Sequence, residues 1–201
     1  MKHTHYILTR WNLGLLSQNP YKIKDPDKWM ETRMELFERT AMQSIQNQTC
    51  KDFKWLIAFD PLTPDSVVSK YDYCEHIEVC YEQPHIHLKS LEPQTDWLIT
   101  SRFDNDDILL PDFVANIQSY FIEQTKIIDI DYMKQQGKNF RPSGRMRPNS
   151  PFLSLVEPWD ANICTALGYS HTFMPDHFPS TKINKVLAFQ VIHKDNLMNK
   201  F

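Results

Sequence analysis

Asp104-Asn105-Asp106-Asp107 sets three carboxylates within four residues, directly after the apolar run Trp97-Leu98-Ile99-Thr100-Ser101-Arg102-Phe103. Residues two apart in extended chain face the same way, so Asp104 and Asp106 can aim at one point. Paired hard oxygens, with the other positions filled by water or phosphate oxygens, are what Mg²⁺ or Mn²⁺ prefers. Ligands of open α/β sheets bind beyond the carboxyl ends of strands, which is where this turn belongs. Asp and Asn are also ordinary turn and N-cap residues. The strand in front, the third carboxylate and a helix expected behind weigh toward metal binding.

Such a turn needs strands to aim it. Tyr6-Ile7-Leu8-Thr9, ending at Arg10-Trp11-Asn12, predicts a first strand, and Phe53–Phe59, closed by Asp60-Pro61, a second. Between them Met30, Met34, Phe37, Ala41 and Ile45 recur at helical spacing over about 28–48, with Asp27 as the expected N-cap. A weak helix over 66–71, a strand at His76–Tyr81 and the strand Trp97–Phe103 follow. Pro111 predicts the first turn of a helix spanning Ile108–Gln124. Later strands are expected at Lys126–Met133, Phe152–Val156 and Val186–Ile192, with a hairpin turn at Gly137 and a loop over 141–151. The pattern is α/β, a mainly parallel sheet with mixed later strands, in one continuous domain over 1–201.

Composition narrows the function. With 201 residues, 41% hydrophobic and 23% charged, the chain can bury a sizeable core. A net charge of −3 carries no basic field for nucleic acid. Apolar runs such as Leu56-Ile57-Ala58-Phe59 are far shorter than a membrane span, and the amino terminus has no signal-peptide core, so a soluble cytoplasmic protein is expected. The four cysteines form no CxxC pair. The four glycines form neither GxGxxG nor a P-loop. His85 and His87, two apart, could share a face of extended chain, but no nearby Cys supports a zinc site.

The segment Trp97 to Asp107 resembles the DxD-bearing segment of the putative rhamnosyltransferases, bacterial enzymes with the glycosyltransferase A-type fold. Ile7-Leu8-Thr9-Arg10-Trp11-Asn12-Leu13, Arg33…Leu36-Phe37…Thr40…Ser44…Gln48-Thr49 and Phe53–Asp60 fit the same pattern in the same order, as do Ser150-Pro151-Phe152 and Gln190-Val191-Ile192-His193. Trp11 stands where that pattern has Phe, and Lys194 where it often has Gly. The resemblance implies a nucleotide-diphosphosugar transferase fold, with residues 1–107 binding the nucleotide-sugar and 108–201 facing the acceptor. It implies a glycosyltransferase moving a sugar, rhamnose by family name, from a nucleoside-diphosphate sugar to a saccharide or lipid-linked acceptor in polysaccharide biosynthesis. A lipid-linked acceptor would make the protein peripheral at the inner membrane.

The same resemblance distributes roles. Asp104 and Asp106 are implied to hold Mn²⁺ or Mg²⁺ and the donor diphosphate, with His193 as an extra ligand and Asp107 supplementing them or capping the next helix. Asp60 is implied to contact the base or ribose, while an Asp before Pro is also a routine turn former. Arg10 could approach base or phosphate, or serve as an ordinary ion pair. Arg102 could neutralise phosphate or merely balance the acidic turn, and Arg33 could pair with Glu31, Glu35 or Glu38. Direct displacement at an anomeric carbon needs a base for the acceptor hydroxyl, and Glu157, with Asp160 next, is the candidate. Arg141, Arg145 and Arg147 could fold over the diphosphate, and His171 and His177 could line the acceptor cleft. Two other readings stand beside this one. One is a non-catalytic nucleotide-sugar or carbohydrate-binding module, for which five tryptophans could stack on sugars or simply form core. The other is a metal-dependent phosphohydrolase, which needs an Asp after the first strand where this chain has Arg10-Trp11-Asn12.

Overall fold

Strands buried at successive residues, and so on both sides, lie inside a sheet covered on both faces. β1 (His3–Arg10), β2 (Lys54–Ala58) and β4 (Trp97–Arg102) are of this kind, and Ile7, Leu8, Trp55, Leu56, Leu98 and Ile99 are fully buried. The computed structural model describes residues 2–19, 23–71, 74–142 and 150–193. Arg145, Arg147 and Lys194 therefore lie outside the described residues.

The remaining strands are β3 (Ile77–Cys80), β5 (Ile108–Leu109), β6 (Lys126–Gln136), β7 (Asn139–Pro142), β8 (Ser154–Pro158) and β9 (Ser180–Val191). They form one sheet in the order β3-β2-β1-β4-β8-β6-β9-β5, with β7 added beside β6. β3, β2, β1 and β4 run parallel; β8 is antiparallel to both β4 and β6, and β9 is parallel to β6. The mixed α/β architecture agrees with the sequence. Gly137, at φ +58°, makes the β6–β7 hairpin turn.

One face of the sheet packs Ile7, Trp55, Ile57, Phe103, Ile128 and Ile130 against α1 (Pro26–Phe37) and α5 (Phe113–Ser119). The other buries Leu8, Leu56, Leu98 and Leu155 under α4 (Pro84–Ser90) and the loop after β8. α2 (Gln43–Gln46) continues α1 through a wider turn at Glu38–Met42, and α3 (Asp65–Val68) follows β2.

Three local expectations change. Asp25, not Asp27, caps α1, its Oδ1 accepting the Lys28 N–H at 3.1 Å, because Pro26 takes the first helical position. α5 is shorter than 108–124: Ile108 and Leu109 instead pair with Phe189 and Ala188 of β9. α4 turns His85 and His87 onto a helix, and His87 Nε2 sits 2.8 Å from Glu78 Oε1 rather than beside His85 in extended chain.

A buried polar chain crosses the sheet. His5 Nε2 lies 2.8 Å from Ser101 Oγ, which lies 2.6 Å from Ser154 Oγ, joining β1, β4 and β8. Burial, with His3 nearby, pushes the His5 pKa down to about 3.

Candidate active site

β4 delivers the acidic turn to the carboxyl end of the sheet. Phe103 N–H still donates to the Leu8 carbonyl at 3.0 Å, and its ring enters the core, so the chain leaves the sheet only at Asp104. Asn105 is buried and its side-chain N–H donates to the Trp11 carbonyl, pinning the turn to the end of β1. Asp107 is buried and its Oδ1 accepts the Val191 N–H at 2.8 Å, pinning the turn to β9. Burial, and then the neighbouring charges of Asp106 and Asp104, push the Asp107 carboxyl well above the usual range. Asp107 thus supplements the turn by holding it to β9; it does not cap a helix.

Asp106 is where three segments meet. Its Oδ2 accepts from Arg33 Nη1 of α1 at 2.7 Å and stands 3.0 Å from His193 Nε2, just past β9. Burial acts to raise its pKa, but the His193 hydrogen bond and the Arg33 charge and hydrogen bond outweigh it and hold the carboxyl below the usual range. Asp104 differs: its side chain is 40% exposed, with Arg102 Nη2 at 3.7 Å. Arg102 has a buried Nε without a hydrogen-bond partner among the described residues.

Carboxylate oxygens and an imidazole nitrogen are donors of the kind a small divalent cation takes. With metal–ligand bonds of about 2.1 Å, neighbouring ligands of an octahedral ion lie about 3.0 Å apart. His193 Nε2 and Asp106 Oδ2, 3.0 Å apart, are direct hydrogen-bond partners, so a cation held between them would replace that hydrogen bond. Among the described residues no three His, Cys, Asp or Glu side chains form a metal site by themselves. Oxygens of a bound ligand or water would complete the shell, as is usual for Mg²⁺.

The other expected residues divide. Arg10 is exposed at the end of β1. Arg33 pairs with Asp106 and not with the glutamates of its own helix, a correction that only tertiary packing supplies. Asp60 is also corrected: it is fully buried, its Oδ2 accepting from Leu16 N–H, Ser17 N–H and Ser17 Oγ and its Oδ1 from Leu62 N–H. It shapes the loop after β1 and has no exposed surface to offer a nucleotide. The tryptophans pack as core: Trp11, Trp55 and Trp159 are buried, and Trp29 and Trp97 lie against the same cores.

Glu157 and Asp160 are not brought to the site. Glu157 pairs in register with Leu98, near the start of β4, six residues and so about 20 Å of strand from Asp104. It lies inside β8, and its two oxygens accept the backbone N–H groups of Cys164 and Thr165 at 2.7 and 2.8 Å. Asp160 caps its own turn, accepting from Asn162 N–H at 2.6 Å. Burial pushes the Glu157 carboxyl up, partly offset by those two hydrogen bonds. Glu157→Ala is expected to cost about 2–3 kcal/mol of folding stability, read by urea denaturation, while leaving nucleotide binding intact. His171 and His177 lie in the loop from Pro158 to Ser180, whose ends pair with Trp97 and Ile127 at the far end of the sheet. His177 there stacks on Tyr169 at 4.0 Å.

Two residues that the sequence did not single out, Asp131 and Lys182, stand at the same end of the sheet. Ser101 and Ile128 both pair with Ser154, so Asp104 and Asp131, each three residues further on, are level. Two strand spacings separate them, about 10 Å. Ile128 and Ile130 face the α1–α5 core while Ile127 faces the other, so alternation puts Asp131 on the same face as Arg102 and Asp104. Lys182 Nζ is 3.1 Å from Asp131 Oδ1 and 3.6 Å from Asp129 Oδ2. The Asp-x-Asp spacing in β6 was visible, but only strand pairing reveals its level.

A family model described as putative rhamnosyl transferase matches residues 20–200. Among solved structures, S. aureus TarS 1–349 aligns with a TM-score of 0.54 at 12% identity, covering 95% of this chain and 60% of that one. A longer S. aureus TarS structure gives 0.54 at 11% identity, covering 96% and 37%. TarS 1–349 in complex with UDP gives 0.50 at 11%, covering 96% and 61%. The chain thus spans no more than 61% of the TarS chains it matches. No curated protein matches the sequence. The likeness shows the fold, which is of the glycosyltransferase A type.

Proposed function

Because the chain belongs to the putative rhamnosyl transferase family, we propose that it transfers a sugar, rhamnose on the family description, from a nucleoside-diphosphate donor to a saccharide or lipid-linked hydroxyl. The observation that carries the reading is the meeting of Asp106 and His193, 87 residues apart in sequence, in hydrogen-bond contact at the turn that also carries the exposed Asp104. The structural likeness to TarS in complex with UDP supports a nucleotide-sugar donor. A phosphohydrolase is disfavoured, since β1 ends at Arg10-Trp11-Asn12 and the acids follow the fourth strand. Among the described residues no helix is long and apolar enough to cross a membrane.

Asp104, Asp106 and His193 would hold Mn²⁺ or Mg²⁺, whose chemistry there is to stabilise the charge growing on the departing diphosphate. Arg102, beside Asp104, adds a fixed cation on the same face. Asp131 is placed to accept the acceptor hydroxyl proton. The acceptor oxygen bonds to the anomeric carbon, the carbon–oxygen bond to the diphosphate breaks, and the proton goes to Asp131. Lys182 holds that carboxylate in place.

Thermal stability measured with Mn²⁺ and a panel of dTDP- and UDP-sugars tests the reading. A cation-dependent rise is expected, because a ligand bound only by the folded state must stabilise it. Release of nucleoside diphosphate then separates an enzyme from a non-catalytic binding module. No shift, together with phosphate release from simple esters, overturns the proposal. Asp131→Asn is expected to lower acceptor-dependent nucleoside diphosphate release about a hundredfold or more. The Mn²⁺- and UDP-dependent thermal shift should survive that change, and undiminished release removes Asp131 from the role.

A further inference from the structure

Arg33 lies inside a helix rich in acids, yet its side chain is only 8% exposed and its ion pair is with Asp106, itself 14% exposed. Two things fix the guanidinium. α1 is anchored by buried Met30, Leu36 and Phe37 on the same side of the helix. The guanidinium carbon also sits 5.3 Å from the ring of Trp29, one helical turn back, and that ring meets Trp11 edge-on at 6.2 Å. Trp11 in turn gives its carbonyl to Asn105, the neighbour of Asp106. A closed circuit therefore runs from Trp11 through Trp29 and Arg33 to Asp106 and back through Asn105 to Trp11.

We propose that Arg33 is a positioning residue for Asp106: together with His193 it fixes the orientation of that carboxylate in the turn before any cation or donor arrives. This rests on the cation-dependent reading above. Three carboxylates crowd the turn, and the fixed Arg33 charge offsets their mutual repulsion at Asp106. The fork geometry of arginine sets both charge and direction, whereas lysine supplies only a hydrated point charge. Arg33 touches neither donor nor acceptor in this arrangement; it acts through Asp106.

The test is Mn²⁺ binding followed by electron paramagnetic resonance, with and without UDP, in wild-type, Arg33→Gln and Arg33→Lys proteins, beside their melting temperatures. Arg33→Gln is expected to weaken Mn²⁺ binding about tenfold or more, the range seen when partners of metal ligands are removed. Arg33→Lys should recover most of the melting temperature yet still bind Mn²⁺ several-fold more weakly, since charge returns without the fork. Nucleoside diphosphate release by either variant should recover when Mn²⁺ is raised, which a merely structural defect would not do. If Arg33→Gln, or Arg33→Lys should the glutamine variant not fold, binds Mn²⁺ as tightly as wild type or more tightly, the positioning role is wrong. Wild-type protein that binds no Mn²⁺ even with UDP instead overturns the cation-dependent reading itself.

Discussion

Asp104→Asn should reduce nucleoside diphosphate release about a thousandfold and remove the Mn²⁺-dependent thermal shift, with folding stability changed by no more than about 0.5 kcal/mol. The side chain is 40% exposed and its nearest recorded partner, Arg102, is 3.7 Å away, so little of the fold depends on it. Asp106→Asn should give the same functional loss with a different structural signature. Its removal leaves Arg33 buried and without its carboxylate, which costs about 3–5 kcal/mol when a buried pair is broken. Activity of the two variants against a urea-denaturation series separates these contributions. Turnover and Mn²⁺ affinity preserved in Asp104→Asn would falsify the assignment of the turn.

The second large effect is acid lability centred on His5. Burial holds this imidazole neutral, with a pKa of about 3 against 6.5 when unfolded. The unfolded chain therefore binds more protons between those values, and stability rises with pH across that window. The contribution is fully present above pH 6.5 and is lost progressively as pH falls to 3. A shift of this size corresponds to at most about 5 kcal/mol. The low pKa of Asp106 acts in the same direction but only at lower pH, below its unfolded value of 3.8, whereas the raised Asp107 and Glu157 carboxyls act oppositely above theirs. His5→Asn, which can still hydrogen-bond toward Ser101, should lose the His5 share of the slope, so that its melting temperature falls less than that of wild type between pH 6.5 and about 4. A His5→Asn profile with the same slope as wild type over that range would show that His5 is not buried neutral.

How far the sequence could be read depends on the range of the interactions involved. β1, β2, β4 and the β6–β7 hairpin follow from runs and turn residues a few positions long. The missed β5 is different, because Ile108 and Leu109 are equally good in a helix and only pairing with Phe189 and Ala188 decides for a strand. Asp60 and Glu157 were misjudged for a related reason. A carboxylate at a strand end looks available in sequence, but loops 43 residues upstream and 7 downstream spend these two on backbone N–H groups.

The amino-acid order by itself determined the alternating α/β scaffold and the acidic turn after β4, since hydrophobic period and local turn chemistry act between near neighbours. The folded chain alone decided which groups meet at that turn. Arg33 and His193 reach the same oxygen of Asp106 from 73 residues before and 87 after it, and Asp131 comes level with Asp104 only because β8 lies between β4 and β6. Such meetings are set by sheet order and register, where a shift of one residue would turn each of these side chains to the opposite face.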